Sequence, residues 1–259
     1  MIVVTIANQK GGVGKTTTTV TLGHGLALRG YRVLLIDLDV QGHVAYSLGM
    51  EKEPGLYQLI VLEMPLHKLV RQARPNLWIL PADKKTEAAK RALTSMNFRE
   101  RVLINALEKV QGSYDVIFID CAPSLDVLHV AALVATNWLL IPTKLDHLAI
   151  DGVNEILRSL AEVHQAGLGG QFYGVLPTFY DRVTTETLEQ LRELVRIFGD
   201  KVLPPIPVNT KLREAPLYGQ TIWEYAPTSR GACGIPTKGE ERLGGYTALV
   251  ERVEKELLQ

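Results

Sequence analysis

The sequence predicts a single α/β domain, in which a mostly parallel, twisted sheet carries helices on both faces. Short apolar segments rich in Val, Ile and Leu recur along the chain, as expected for parallel strands that are buried on both faces. Segments with helical spacing of apolar residues separate them, which is typical of βαβ units. With 46% hydrophobic and 22% charged residues, no repeat and no linker, the chain is expected to form one globular domain over residues 1–259.

The first two predicted strands flank the first helix. Residues 2–7 are a β-branched apolar run, which is typical of a buried strand. Residues 18–28 place apolar side chains where a helix would pack on a sheet, and Gly30 suits the position just beyond a helix end. The apolar run at residues 31–37 then predicts the second strand, which ends in an acid.

The next segment is less regular before the alternation resumes. Residues 43–76 are expected to form only short helical pieces, because Pro54 and Pro65 interrupt them. Residues 76–81 predict a strand, and residues 84–110 predict a helix with one apolar face.

The second half of the chain repeats the pattern of strand and helix. The predicted strands are 114–120, 137–143 and 172–177, followed by a weaker one at 202–204. The predicted helices are 125–135, 147–165, 184–198 and 247–258. Because ligands of open α/β sheets bind at the carboxyl ends of the strands, the residues just after each strand are the candidates for chemistry.

A glycine-rich segment, NQKGGVGKTT at residues 8–17, joins the first strand to the first helix. Glycines let the backbone approach a phosphate closely, successive N–H groups converge on the anion, and the helix N-terminus adds a partial positive charge. Lys15 would reach the β- and γ-phosphates of a nucleotide, and the Thr16 hydroxyl would bind Mg²⁺. The predicted nucleotide-binding residues of this segment are Gly11, Gly12, Val13, Gly14, Lys15, Thr16 and Thr17.

The segment departs from the usual P-loop pattern, G-x-x-x-x-G-K-[ST]. Gln9 stands where a glycine is expected, and a second lysine, Lys10, follows it. A dinucleotide-binding fingerprint fits less well, since its third glycine would fall at Thr17. Residues 10–17 resemble the deviant Walker A motif of the ParA/MinD family of ATPases, and the resemblance extends over nearly the whole chain. It implies a single-domain P-loop NTPase that hydrolyses ATP with Mg²⁺.

The resemblance also implies roles for the catalytic residues. In the family, the lysine that matches Lys10 crosses a dimer interface to the partner's nucleotide, which implies a homodimer that sandwiches two ATP molecules. A cation supplied in this way neutralises charge on the transferred phosphoryl group. Residues 37–42, DLDVQG, are similar to the family's D-x-D-x-Q-G segment, although Val40 replaces the usual proline. Asp39 would therefore orient the attacking water, and the predicted catalytic residues are Lys10, Lys15 and Asp39.

Two further strand ends carry candidate ligands. Asp120 follows an apolar strand and resembles a Walker B acid, which holds Mg²⁺ directly or through water. A helix N-cap is the alternative for Asp120, because residues 120–124 also suit the start of a helix. Pro207 and Asn209 lie in a segment similar to the one that contacts the adenine base in the family.

The resemblance places a DNA-facing surface near the same region. The candidate DNA contacts are Arg182, Lys201, Lys211 and Arg213. Ordinary solvated surface is the alternative for these side chains, because residues 182–213 hold six Lys or Arg against four Asp or Glu.

Composition limits the classes of partner. The chain has 28 basic and 28 acidic residues, so DNA binding would need a local patch or one assembled by dimerisation. Two cysteines, Cys121 and Cys233, support neither a disulfide framework nor a metal cluster within one chain. The sequence shows no signal-peptide pattern and no apolar stretch as long as a membrane span. We therefore expect a cytoplasmic protein, which the resemblance associates with the nucleoid.

Three functional hypotheses remain open at this point. The first is a ParA-type ATPase that binds DNA nonspecifically in its ATP state and positions a cargo. The cargo is a plasmid, a chromosome region or a protein body such as a carboxysome, and an adaptor protein bound to the cargo stimulates hydrolysis. The second is a MinD-like ATPase attached to a membrane. The tail at residues 250–259 carries three Glu against one Arg and one Lys, which anionic lipid disfavours, so no membrane partner is expected.

The third hypothesis is a redox or ligase relative on the same scaffold. A [4Fe–4S] cluster shared between subunits needs paired cysteines, and the two in this chain argue against it. Ligase relatives generally lack a lysine that matches Lys10. Residues 231–245 look longer than the corresponding family turn and are predicted to form a flexible loop and a candidate partner site.

Overall fold

The computed structural model of the chain describes residues 1–237 and 242–259. The strands of its main sheet are β1 Ile2–Ile6, β2 Val33–Asp37, β3 Arg71–Arg74, β4 Leu77–Leu80, β5 Val116–Asp120, β6 Trp138–Lys144 and β7 Gln171–Thr178. They lie in the order β3-β4-β2-β5-β1-β6-β7, and all neighbours are parallel except β3, which is antiparallel to β4. The predicted α/β fold with a mostly parallel sheet is confirmed.

Helices of different lengths connect the strands in the described part of the chain. They are α1 Lys15–Leu28, α2 His43–Ser47, α3 Gly55–Ile60, α4 Leu66–Leu69, α5 Thr86–Thr94, α6 Val102–Glu108, α7 Val127–Ala135, α8 Ala149–Gln165, α9 Thr185–Phe198, α10 Lys211–Glu214, α11 Ile222–Tyr225, α12 Arg230–Cys233 and α13 Gly245–Val253. Short 3₁₀ turns cover Arg99–Arg101, Gly199–Lys201 and Ala215–Tyr218, and a π-helical turn covers Glu254–Leu258.

Apolar layers cover both faces of the sheet. Successive strand residues point to opposite faces, and the buried strand β5 shows the consequence. Val116 and Phe118 join the layer formed with α1 and α13, whereas Ile117 and Ile119 join the layer formed with α5 to α8. Because helices cover both faces of the sheet, ligands approach it at the ends of the strands.

Two predictions about strands are wrong. The segment 202–204 does not form a strand, since Val202 makes one isolated parallel bridge to Val175. Pro204 and Pro205 have no N–H groups with which to continue the ladder. Strand β3 is absent from the sequence prediction because its residues, RQAR, lack apolar alternation. It is an edge strand, and it turns back into β4 through Asn76, whose φ is 59°.

The predicted helix at residues 84–110 is also wrong as a single element. Helix α5 ends at Thr94, and α6 begins only at Val102, after the 3₁₀ turn. Phe98 lies between them with a φ of 54°, a left-handed conformation that a helix cannot contain. The apolar periodicity still predicted the buried face, because Leu93, Leu103 and Leu107 all pack in the same core layer.

The segment at residues 231–245 has regular structure where it is described. It continues α12 to Cys233, and strand β8, Ile235–Pro236, pairs antiparallel with strand β9, Arg242–Leu243. Residues 238–241 of the predicted loop lie outside the described residues.

The last helical segment packs against the body of the domain. Arg29 forms ion pairs with Glu251 and Glu254, and the Tyr173 hydroxyl donates to Glu256 at 2.8 Å. Leu257 and Leu258 are partly buried against the layer that contains α1. In the described part of the chain, no helix combines the length and the apolar character needed to cross a bilayer.

Candidate nucleotide site

The glycine-rich segment forms a loop between β1 and the N-terminus of α1. Gly12 and Gly14 have φ values of 71° and 92°, which favour glycine because a side chain would clash with the backbone. Gly14 is the N-cap residue of α1. The Thr178 hydroxyl donates to the carbonyl of buried Val13 at 3.0 Å and holds the middle of the loop against β7. The loop therefore has the shape and the helix N-terminus that an anion site requires.

Lys15 is the first residue of α1 and is 7% exposed. Its amine donates to the carbonyl of Lys10 at 2.9 Å, so the side chain turns back over the loop. Burial lowers the pKa of Lys15, whereas the negative charge of Asp120 opposes this effect. A phosphate group in the loop would restore the favourable partner that a buried ammonium lacks.

Lys10 points the other way. Its amine forms an ion pair with Asp146 at 3.3 Å and donates to the carbonyl of Leu148, just before α8. A Cβ atom on Gly152 would lie 3.3 Å from Lys10 Cε, so the glycine leaves room for the lysine side chain. The two lysines of the loop therefore occupy different environments, and of the two side chains only that of Lys15 turns in over the loop.

The acids at the strand ends lie side by side. In the sheet register, Asp120 at the end of β5 is opposite both Ile6 of β1 and Asp37 of β2. Asp120 is 1% exposed and accepts hydrogen bonds from the hydroxyls of Thr16 at 2.6 Å and Thr19 at 3.1 Å. The sheet thus brings together Asp120 and Thr16, the two residues predicted to hold Mg²⁺.

The oxygen donors around Asp120 suit Mg²⁺. Burial raises the pKa of Asp120 to about 6, although the hydrogen bonds from Thr16 and Thr19 and the charge of Lys15 act in the opposite direction. A carboxylate and a hydroxyl are hard oxygen ligands of the kind that Mg²⁺ prefers, and a divalent cation would stabilise the buried carboxylate. The N-cap alternative is wrong, because Asp126 caps α7 by accepting from Leu128 N and His129 N.

The loop after β2 presents one acid and buries another. Burial and the neighbouring charge of Asp120 raise the pKa of Asp37 well above its ordinary value. Asp37 accepts from the backbone N–H groups of Asp39 at 2.9 Å and Val44 at 3.1 Å, so it organises the loop. Asp39 is partly exposed, and its Oδ1 accepts from Gln41 N at 2.9 Å. Asp39 is therefore the loop carboxylate that is accessible to a water molecule.

A cleft of about 170 Å³ lies beside the loop. The residues that line it are Gly14, Thr17, Thr178, Phe179, Ile206, Pro207, Val208, Asn209, Leu212, Arg213 and Tyr246. Phe179 adopts a φ of 55°, a strained conformation for an aromatic residue, and the Lys144 amine lies 5.9 Å from the centre of its ring. The predicted base contacts Pro207 and Asn209 thus share a largely apolar cleft with Gly14 and Thr17, as a nucleobase next to a phosphate loop requires.

The four candidate DNA contacts do not form one cluster. Arg182 precedes α9 and Lys201 follows it, so they lie at opposite ends of a helix of 14 residues, a length of about 21 Å. Lys211 forms an ion pair with Glu214 at 2.7 Å and lies over the ring of Tyr225. Arg213 lines the base cleft.

Several site residues were missed by the sequence analysis. They are Asn8, Thr19, Asp146, Thr178 and Tyr246. Tyr246 lies about 230 positions from the loop in sequence, and its hydroxyl is 3.0 Å from Thr18 Oγ1. Such contacts depend on the tertiary fold and have no local sequence signal. Asn8 is different, because it is part of the glycine-rich segment.

Comparisons with known proteins agree with this geometry. A family model described as an AAA domain matches residues 1–169. The chromosome-partitioning ATPase Soj of Thermus thermophilus is 39% identical over 241 residues, which cover 92% of this chain and 94% of that protein. The residues matched by the family model include the loop, Asp39 and Asp120.

Solved structures extend the comparison to the fold. The cobyrinic acid a,c-diamide synthase of Mycobacterium smegmatis, with an ATP analogue and magnesium, has a TM-score of 0.75 and 33% identity over 85% of this chain and 93% of that one. Apo McdA of Cyanothece has a TM-score of 0.81 and 25% identity over 88% and 94%. Given the matched domain and the identity to Soj, the chain belongs to the ParA/Soj family of P-loop ATPases, and ATP and Mg²⁺ are the cofactors of its reaction.

Proposed function

We propose that the chain is a dimerising ATPase that binds DNA nonspecifically in its ATP state and positions or segregates a cargo. The Soj relative is a chromosome-partitioning ATPase, which supports the partition role. The cargo is a plasmid, a chromosome region or a protein body such as a carboxysome, and an adaptor protein on that cargo stimulates hydrolysis and resets the cycle. The protein would then be associated with the nucleoid while ATP is bound.

In the proposed reaction, ATP hydrolysis, each of a few side chains has its own role. Lys15 binds the β- and γ-phosphates, the backbone N–H groups of residues 11–17 surround them, and Pro207 and Asn209 contact the base. Asp120, directly or through water, and the Thr16 hydroxyl hold Mg²⁺, which neutralises phosphate charge when it is bound. Asp39 orients the attacking water. Phosphoryl transfer requires mainly positioning and charge neutralisation, and this set of groups supplies both.

The observation that best supports the proposed dimer is the direction of the Lys10 side chain. Its amine lies at the start of α8, on Asp146 and the Leu148 carbonyl, and does not turn in over its own loop. Both Lys10 and Asp146 are about a quarter exposed, and exposed ion pairs of this kind are weak. The amine is therefore free to exchange Asp146 for the phosphates of a second subunit. The ATP state would then consist of two subunits and two nucleotides.

The membrane-bound alternative has less support. It needs a free amphipathic helix with a basic face. The described turn at Glu254–Leu258 instead packs on the domain through Arg29 and Tyr173. We therefore favour DNA over a membrane as the partner of the ATP state.

Binding of the full chain to duplex DNA of arbitrary sequence, measured with ATP, ADP or no nucleotide, tests this function. We expect at least about tenfold tighter binding with ATP, because the dimer doubles the number of phosphate contacts. The logarithm of the affinity should fall linearly with the logarithm of the salt concentration, by about 0.9 for each phosphate contacted. Equal binding in all three nucleotide states would exclude the proposed cycle.

Arg182→Ala and Lys109→Ala form a matched pair for the same titration. Both side chains are exposed, but Lys109 follows α6, which packs against α7, whereas Arg182 precedes α9, which packs against edge strand β7. If Arg182 contacts a phosphate in each subunit, its removal should lower the salt slope of the dimer by about 1.8, whereas Lys109→Ala should leave it unchanged. An unchanged slope for Arg182→Ala would remove this residue from the DNA surface.

A further inference from the structure

Asn8 joins the phosphate loop to the end of the neighbouring strand. It lies two residues after the end of β1 and is 1% exposed. Its Nδ2 atom donates to the carbonyl of Pro142 at 2.8 Å and lies 3.4 Å from the Thr143 hydroxyl oxygen, both in β6. The same amide thus ties the loop to a strand 134 positions away in sequence.

The other atom of the amide fixes the peptide of Lys10. Asn8 Oδ1 accepts from the Lys10 backbone N–H at 2.9 Å. A carbonyl can only accept and an N–H can only donate, so these two partners define which way the amide points. An aspartate would keep the acceptor for Lys10 but lose the donor to Pro142. The position therefore requires a short side chain with both a donor and an acceptor.

The backbone of Lys10 is therefore held more tightly than its side-chain amine. The backbone is held by a hydrogen bond to the buried Asn8 side chain, whereas the amine contacts the partly exposed Asp146. Gly152 lies beside both residues, since a Cβ there would be 3.3 Å from Asn8 Oδ1 and 3.3 Å from Lys10 Cε. The amine is able to change partners while its backbone stays fixed, which is the condition for a preorganised contact.

We propose that Asn8 is a positioning residue for Lys10: it fixes the Lys10 backbone against β6 so that the amine reaches the nucleotide of a second subunit. This inference rests on the proposed dimer. Without Asn8 the loop would sample other conformations, and the apparent dimer affinity would fall in proportion to the competent fraction. Binding of nucleotide to one subunit depends on Lys15 and the helix N-terminus and would change little.

The test compares Asn8→Ala with Asn137→Ala in the full chain. Asn137 is a matched control, because its Oδ1 accepts from Val3 N at 2.7 Å and so joins β1 to the opposite end of β6. Dimer formation is measured by sedimentation velocity with a nonhydrolysable ATP analogue and Mg²⁺. We expect Asn8→Ala to weaken the dimer about tenfold, a competent fraction of about one tenth, and Asn137→Ala to leave it unchanged.

A second readout, titration of a fluorescent ADP into the monomer, separates positioning from a general loss of structure. We expect its affinity to remain within about twofold of the wild-type value in both variants. Asn8→Asp, which resembles asparagine in shape, replaces Asn8→Ala if the latter does not fold. A wild-type dimer affinity in the Asn8 variant that folds, or an equal loss in Asn137→Ala, would overturn the inference.

Two further measurements distinguish failure of the inference from failure of the proposed dimer. Lys10→Ala that dimerises like the wild type, or a wild-type chain that stays monomeric with the analogue, would overturn both. If Lys10→Ala fails to dimerise and Asn8→Ala does not, only the inference about Asn8 is overturned. Hydrogen exchange of the Lys10 amide in the monomer should be about tenfold faster in Asn8→Ala, because its acceptor is lost, and unchanged exchange would also contradict it.

Discussion

Lys15→Ala is expected to abolish detectable binding of Mg-ATP and, with it, nucleotide-dependent dimerisation. The buried amine would make charge-assisted bonds to two phosphates, each contributing about 1.5–3 kcal/mol. Their loss corresponds to about 3–6 kcal/mol, or an affinity lower by about 10² to 10⁴. Isothermal titration with ATP and sedimentation velocity measure the two effects directly.

The stability of the protein gives an independent measurement of the same loss. At an ATP concentration of 100 times the wild-type Kd, the wild type should gain about 2.7 kcal/mol in its free energy of unfolding, whereas Lys15→Ala should gain at most about 0.4 kcal/mol. Without nucleotide the variant should be at least as stable as the wild type, because burial already lowers the pKa of Lys15 and its charge is desolvated. Lys15→Met, which keeps the apolar length, is the matched control for packing. An ATP-induced dimer in either variant would exclude Lys15 from the site.

The sequence predicted the central strands and the phosphate loop because both have strong local signals. The buried run Val116–Asp120 and the spacing of glycines before Lys15 need no information from distant residues. Their shared location follows from one rule, that parallel strands present their carboxyl ends at one edge. The hydrogen bond between Asp120 and Thr16, two predicted Mg²⁺ ligands, is consistent with this rule.

The remaining features depend on interactions that the local sequence does not contain. Edge strand β3 pairs through its backbone while its side chains are mainly polar, so no apolar period marks it. The break between α5 and α6 depends on the left-handed backbone at Phe98, which is not a typical residue for that conformation. Similarly, the position of Asp146 beside Lys10 is set by the β6-α8 connection, which only the tertiary fold brings to the loop.

Asp39→Ala is expected to bind ATP and to dimerise, but to hydrolyse ATP about 10² to 10⁴ times more slowly than the wild type. The lost carboxylate would otherwise hold and orient the attacking water. The phosphate contacts of Lys15 and the oxygen ligands Thr16 and Asp120 remain in the variant, so affinity for ATP should stay within about threefold. Single-turnover hydrolysis, measured beside the dimer fraction in the same sample, separates the two effects.

Asp83→Ala is a matched control for the structural effect of removing the Asp39 side chain. Asp39 Oδ1 accepts from Gln41 N at 2.9 Å, and Asp83 Oδ1 accepts from Lys85 N at 2.8 Å in the same type of turn. Asp83→Ala should therefore lose a similar local hydrogen bond, about 0.5–1.5 kcal/mol of stability, and retain full hydrolysis. Asp39→Asn keeps an acceptor for Gln41 and loses the charge.

The three variants together identify what Asp39 contributes. If the carboxylate orients water, Asp39→Asn should hydrolyse ATP as slowly as Asp39→Ala, although its loop is intact. If the residue merely shapes the loop through Gln41, Asp39→Asn should hydrolyse at the wild-type rate and Asp83→Ala should show how little such a bond matters elsewhere. We expect the ATP dimer to persist in both Asp39 variants and to dissociate at the normal rate in Asp83→Ala. This result would link the chemistry of the Asp39 side chain to the lifetime of the ATP state.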